Sequence, residues 1–196
     1  MARSTREDID RFFDYGLHAP TRTIYIGSCS TLSDDQESAT DYRMAEYAIK
    51  ALHVLDLTNG AITIRMNNMG GDYCHGMAIY DAIKGCSNEI TIIGTGYVMS
   101  MGLIILQAGD HRFLTENASV MWHPGESSFE GHTTNLQATA KEEARTLELC
   151  HRLAAQHVLA KNISMSQDDF NQMFKFDVFL SAQQAVDLGF ADSILS

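Results

Sequence analysis

Residues 61–85 read Ala61-Ile62-Thr63-Ile64-Arg65-Met66-Asn67-Asn68-Met69-Gly70-Gly71-Asp72-Tyr73-Cys74-His75-Gly76-Met77-Ala78-Ile79-Tyr80-Asp81-Ala82-Ile83-Lys84-Gly85, and the pattern changes twice along them. Ala61, Ile62, Thr63, Ile64 and Met66 form a β-prone run. Asn67 to Gly71 reads as a loop, because paired glycines let backbone N–H groups turn toward a ligand. With Asp72 as N-cap, the spacing predicts a helix through Met77, Ala78 and Ile83 to Gly85. Strand, glycine loop and helix in this order are the unit of an α/β fold.

The same alternation continues on both sides. Upstream, Ser4-Thr5-Arg6-Glu7 reads as a capping box opening a short helix with Ile9, Phe12 and Phe13 that ends near Gly16. Thr23 to Ile26 is a strand. Ser33-Asp34-Asp35-Gln36 is a second capping box, followed by the helical stripe Tyr42, Ala45, Ile49 and Leu52 up to Asn59-Gly60. Downstream, Glu89 to Gly94 predicts a strand, Ser100 to Ala108 a helix closed at Gly109, and His111 to Thr115 and Ala118 to Trp122 two more strands. The largest irregular segment, His123 to Gly131, leads into a helix over Thr133 to Asn162, about 45 Å long at about 1.5 Å per residue. Its stripe of Leu136, Ala140, Ala144, Leu147, Ala154 and Val158 suits close packing against another helix, in this or another subunit. The tail adds a helix at Gln167 to Phe174, a strand at Phe176 to Leu180, and the capping box Ser181-Ala182-Gln183-Gln184.

Composition narrows the function classes. The chain has 196 residues, 45% of them hydrophobic, enough for one sizeable domain with a core of its own. Lys and Arg number 14 against 25 Asp and Glu, a net charge of −11 with no local basic patch, which argues against a nucleic-acid partner. The longest apolar run, Gly102 to Leu106, is far short of the roughly 20 residues of a membrane span. Cys29, Cys74, Cys86 and Cys150 form no Cys-x-x-Cys pair, and the N-terminus has no signal-peptide core, so reduced thiols in a cytoplasm are expected. Cys74-His75 has no second ligand pair at metal-site spacing, and no cofactor or metal is expected. No Gly-x-x-x-x-Gly-Lys-[Ser/Thr] occurs, so ATP-driven work has to come from a separate partner.

Three places carry possible chemistry. Ser100, in Tyr97-Val98-Met99-Ser100-Met101-Gly102, sits where a strand meets a helix, beside the free N–H groups of a helix start. It fills half of a Gly-x-Ser-x-Gly elbow, and reads either as an activated hydroxyl or as an ordinary N-cap. His123, in Trp122-His123-Pro124-Gly125, ends a β run with Pro124 stiffening the chain after it, and is either a base or a structural histidine. Asn67 to Gly71 is either a ligand-facing loop or a turn.

Taken together and in order, these pieces resemble the proteolytic subunit of the Clp protease family: Asn67 to Gly71, Gly76-Met77-Ala78-Ile79-Tyr80-Asp81, Ser100-Met101-Gly102, Val120 to His123, and Phe179-Leu180-Ser181-Ala182 with Ala185. The resemblance covers residues 8 to 196. It implies an α/β spiral of β-β-α units, shared with crotonases, in which a long helix forms a handle. The whole chain, 1–196, is then one peptidase domain: an N-terminal segment and helix at about 1–16, a head of 17–122 plus 163–196, and a handle at about 123–162. It implies a serine endopeptidase with Ser100 as nucleophile, His123 as general base and Asp177 as the orienting carboxylate. Asp168, Asp169, Asp187 and Asp192 lie nearby, and Asp177 is selected by its place in Asp177-Val178-Phe179-Leu180-Ser181-Ala182. Gly71 and Met101 match the backbone oxyanion-hole donors, and Gly70, Pro124 and Gly125 the substrate-binding positions. Implied partners are other copies of the chain in two stacked heptameric rings, a AAA+ unfoldase or host protease subunits, and unfolded polypeptides.

The chain departs from the family pattern in several places. Few residues precede the first helix, where relatives carry an axial loop that meets the ATPase. Asn68-Met69 stands where Ser-Pro is usual, Pro124-Gly125 where Gln-Pro is usual, and Glu126, Ser127 and Ser128 replace a Gly-Gly pair, while Gly131 is kept. Lys175 and Phe176 occupy the positions of an acidic residue and an arginine that link the rings. Two other readings follow from these departures and from the shared fold: a ring subunit that is silent or only conditionally active, and a crotonase-type acyl-CoA hydratase or isomerase.

Overall fold

The computed structural model describes residues 4–27, 39–125, 130 and 132–195. The Ser33 to Gln36 capping box, Cys29, the Glu126 to Ser128 replacement and Gly131 lie outside the described residues.

Helix α1 (Arg6–Tyr15) is opened by Thr5, whose hydroxyl accepts from the Asp8 N–H while the Asp8 carboxylate accepts from the Thr5 N–H. The capping box therefore sits one residue later than the spacing predicts. Strand β1 (Leu17–His18) and a 3-10 turn (Ala19–Thr21) precede β2 (Thr23–Ile26). Helix α2 (Tyr42–Asp56) starts at Asp41, whose carboxylate accepts from Met44 N–H at 2.9 Å. Its buried face is Met44, Ala45, Ala48, Ala51, Leu52 and Leu55, while Tyr42, expected on the stripe, is exposed. Strand β3 (Ile62–Asn68), α3 (Tyr73–Lys84) with Asp72 as its cap, β4 (Ile90–Met99), α4 (Met101–Leu106), β5 (His111–Thr115) and β6 (Ser119–Trp122) follow. Then come α5 (Thr133–Lys161), α6 (Gln167–Met173), β7 (Val178–Ser181), α7 (Ala182–Leu188) and β8 (Ser193–Leu195).

The strands form one mixed sheet in the order β1-β2-β3-β4-β5-β8, parallel from β2 onward, with β1 antiparallel to β2. The sheet forks at β4. Thr91 to Gly94 pair with β5, whereas Tyr97 to Met99 pair with Ser119 to Met121 of β6, and β6 pairs antiparallel with β7. A largely parallel α/β sheet with one long helix, α5, is the architecture expected from the sequence.

The fork explains where the sequence reading stops short. A strand ending at Gly94 was the expectation; β4 instead runs on to Met99, because the Gly94-Thr95-Gly96 stretch is a bulge and not a turn. Register slips there, with Met66 opposite Gly94 but Asn68 opposite Val98. Gly96 takes φ 57°, and a Cβ on it would lie 2.7 Å from Asn67 Oδ1, which accepts the Tyr97 N–H at 2.8 Å. Asn67 and Asn68 are accordingly strand residues, not loop.

The core is a continuous cluster built from β2 to β7, the inner faces of α2 and α3, the apolar side chains of α4, the second half of α5, and Phe170, Phe174 and Phe190 of the C-terminal part. Fully buried Ile24, Ile62, Ile64, Ile79 and Ile92 each contribute about 1.5–3 kcal/mol by leaving water. In α5 only Cys150, Ala154, Ala155 and Val158 are buried, whereas Ala140 and Ala144 are exposed. The first half of the helix therefore stands away from the core and the second half is packed into it.

Candidate active site

Ser100 joins β4 to α4 with φ 52° and ψ −122°, one of two described residues other than glycine at positive φ. A non-glycine residue held in that region costs on the order of 1–3 kcal/mol, so its surroundings must over-determine it. They do: its N–H donates to the Met121 carbonyl at 2.9 Å, and α4 below it is wholly buried. The Ser100 hydroxyl makes no capping hydrogen bond to the helix. Its Oγ lies 2.8 Å from Nε2 of His123, which removes the ordinary N-cap reading.

His123 is half-buried directly after β6. Trp122, the residue before it, is 2% exposed and donates its indole N–H to the Phe174 carbonyl at 3.1 Å. His151 meets the Trp122 ring edge-on at 5.0 Å and holds Asn171 through Nδ1, so it is packing inside the chain and not a second base.

Asp177 is placed by register. Trp122 pairs with Val178 in the antiparallel β6-β7 ladder, so one further step sets His123 opposite Asp177. The Asp177 side chain is exposed and makes no hydrogen bond to His123 among the described residues. Three of its sequence neighbours are engaged elsewhere. Asp169 closes the Ser166 capping box, Asp187 accepts from Gln183, and Asp192 pairs with Arg112.

The glycine loop approaches Ser100 from β3. Gly70 and Gly71 take φ 104° and 136°, and a Cβ on Gly70 would stand 2.5 Å from Ser100 Cβ and 3.0 Å from its Oγ. Thr40 clamps the loop: its N–H donates to Gly70 O at 2.5 Å and its carbonyl accepts from Asp72 N–H at 2.9 Å. Beneath it, the fully buried Asn68 carboxamide oxygen accepts from Gly70 N–H at 2.7 Å and from Thr40 Oγ1 at 3.1 Å. The Gly71 and Met101 N–H groups make no hydrogen bond among the described residues, and both residues border the same cleft as Ser100. The supporting roles of Asn68, Thr40 and Trp122 were not read from the sequence. An asparagine two residues before the glycine pair is the one signal the sequence offers.

Ser100, His123, Gly71, Met101, Pro124 and Gly125 all border one cleft of about 730 Å³. At another part of its wall Cys150 is buried, and desolvation pushes its thiol up to about 11, so it stays protonated at neutral pH. A second hollow of about 310 Å³ lies against α1, Tyr25 and Tyr47, and the described residues lining it include neither serine nor histidine. Among the described residues no group of three metal-ligating side chains comes together, and Cys74-His75 gathers no further ligand. No helix among them is long and apolar enough to cross a membrane.

A strained serine against a histidine, with free backbone donors beside it, is the geometry of acyl transfer. The family model described as Clp protease matches residues 35–196. The chain belongs to the Clp protease family. It is 31% identical over 191 residues to the ATP-dependent Clp protease proteolytic subunit of Deinococcus radiodurans, covering 95% of this chain and 86% of that one. It is 33% identical over 135 residues to the ATP-dependent Clp protease proteolytic subunit 1 of Leifsonia xyli subsp. xyli, covering 68% of this chain and 66% of that one. Clp protease membership supports a serine-type peptidase.

Proposed function

We propose that this Clp protease family member is a cytoplasmic serine endopeptidase that cleaves unfolded polypeptide inside an oligomeric chamber. The contact between Ser100 Oγ and His123 Nε2 carries the reading. His123 takes the Ser100 proton as Oγ attacks the substrate carbonyl, and gives that proton to the leaving amine as the acyl-enzyme forms. Water then enters by the same base and releases the acid. Gly71 and Met101 N–H groups hold the oxyanion, where losing one donor typically costs about 2.7–4 kcal/mol. Asp177 orients the imidazole and stabilises its protonated form. Gly70, Pro124 and Gly125 align the substrate backbone. Copies of the chain assemble as stacked heptameric rings, and a separate AAA+ unfoldase or a host protease subunit delivers substrate, since the chain has no P-loop of its own.

One observation favours a conditional form of this activity. The exposed Asp177 is opposite His123 without bonding it, so the orienting carboxylate is engaged only when the segment around Phe176, itself 73% exposed, is rearranged or covered.

A fluorophosphonate probe tests the reading, with Ser100→Ala as control and native mass measurement on the same sample. Adduct on Ser100 in an assembled ring is the expected result. Assembled protein that stays unlabelled supports the silent subunit instead, and a stable monomer removes the chamber.

A further inference from the structure

The loop that approaches Ser100 carries two adjacent glycines, which have more backbone freedom to lose than any other residue, so its shape has to be imposed by its neighbours. Thr40 grips it through the backbone. From beneath it is held by one side chain, the fully buried carboxamide of Asn68. That carboxamide has two unlike ends. Its oxygen accepts an N–H, whereas its NH2 group turned to the same place would set donor against donor.

Asn68 Oδ1 takes two donors, the Gly70 N–H at 2.7 Å and the Thr40 hydroxyl at 3.1 Å. The other end meets sulfur: Nδ2 donates to Sδ of Met44 at 3.2 Å. Met44 stands in the first turn of α2 and is 7% exposed, and its N–H is fixed by the Asp41 cap. The helix start thus places the thioether against the carboxamide. A thioether is a weak acceptor, but inside the core the alternative for this NH2 group is to go unpaired. Leucine fills nearly the same volume and offers no acceptor.

We propose that Met44 is a positioning residue for the reaction at Ser100: its sulfur fixes which end of the Asn68 carboxamide faces Gly70, and through Gly70 it holds the Gly71 N–H where the oxyanion forms. The inference rests on the serine-peptidase reading, with Gly71 as a donor, and adds a residue that is not among those bordering the cleft. Oxyanion donors act by preorganisation, so a loosened loop slows the chemical step without weakening the binding that precedes it.

Met44→Leu tests it on the assembled protein, beside Leu52→Met, an equally conservative exchange on the same buried face of α2. Fluorophosphonate labelling of Ser100 is followed to saturation, and amide hydrogen exchange is read by mass over 68–72. Met44→Leu is expected to lower the limiting labelling rate by about fivefold at unchanged half-saturation and to speed exchange of the Gly70 amide by at least as much, while Leu52→Met changes neither. In an Asn68→Ala background, where no carboxamide remains to be oriented, Met44→Leu should add nothing. An unchanged labelling rate or unchanged exchange in Met44→Leu, an equal fall in Leu52→Met, or a fall that persists in the Asn68→Ala background overturns the positioning role and leaves the peptidase standing. Wild-type protein that is never labelled at Ser100 overturns the peptidase and the role with it, whereas the exchange result still reports whether the sulfur holds the loop.

Discussion

The indole N–H of Trp122 donates to the Phe174 carbonyl at 3.1 Å, across 52 residues of chain. Trp122 immediately precedes His123, and Phe174 lies three residues before Asp177. This bond therefore ties the strand leading into His123 to the segment leading into Asp177, at the end of the β6-β7 ladder where strand pairing stops. Replacing Trp122 with Phe keeps an aromatic ring against His151 but leaves a buried carbonyl unpaired. The expected loss is about 1–3 kcal/mol of stability, read as a lower Tm, with a slower acylation of Ser100 by a fluorophosphonate. Unchanged acylation would show that the tie is structural only.

Gly70 offers a sharper test of how the loop meets Ser100. At φ 104° an alanine is strained, and its Cβ would press on Ser100 at 2.5 Å. Gly70→Ala is expected to cost about 1–3 kcal/mol from backbone strain and to slow acylation by about a hundredfold or more, as the proposed oxyanion donor at Gly71 is displaced. Stopped-time labelling with mass detection measures it, and near-normal labelling would mean that the loop can move aside.

Asn68 holds the same loop from below. In Asn68→Ala both the Gly70 N–H and the Thr40 hydroxyl lose an acceptor inside the core. About 1–3 kcal/mol per buried unpaired group is the expected cost, together with a fall in kcat larger than any change in KM. Chemical denaturation and peptide hydrolysis separate the two effects.

His157 sets an acid limit on the fold. Desolvation first, then the positive Arg112, hold its folded pKa below the ordinary value of 6.5. Above about pH 6.5 the imidazole is neutral folded or unfolded and makes no pH-dependent difference. As pH falls below that, the unfolded chain takes up a proton that the folded chain refuses, so stability drops until the folded pKa is reached. His157→Gln, which keeps a donor for the Gln107 carbonyl that His157 faces at 3.3 Å, should flatten the slope of Tm against pH between about pH 7 and pH 5. Asp56 acts lower on the scale: hydrogen bonds from Ser87 and Asn88 depress its pKa, so its contribution is present above 3.8 and lost as pH falls through its folded value. An unchanged Tm profile in His157→Gln would place the acid sensitivity elsewhere.

Much of this molecule is legible from one dimension because caps and helical stripes are interactions between residues three or four apart. Asp72 opening α3, Ser181 with Gln184 opening α7, and the extent of α5 are all decided within a turn of chain, and the sequence alone determines them. The ordered motifs also determine the family. What only the tertiary structure decided is set by register between distant strands. Gly94 to Gly96 read as a stop, yet β4 passes through them, because the strand exchanges β5 for β6 as its neighbour. That exchange delivers His123 to Ser100 and sets Asp177 across from His123 without joining them. The burial of Asn68 likewise depends on which faces meet. Such meetings are chosen by packing over the whole core, and no local pattern of residues encodes them.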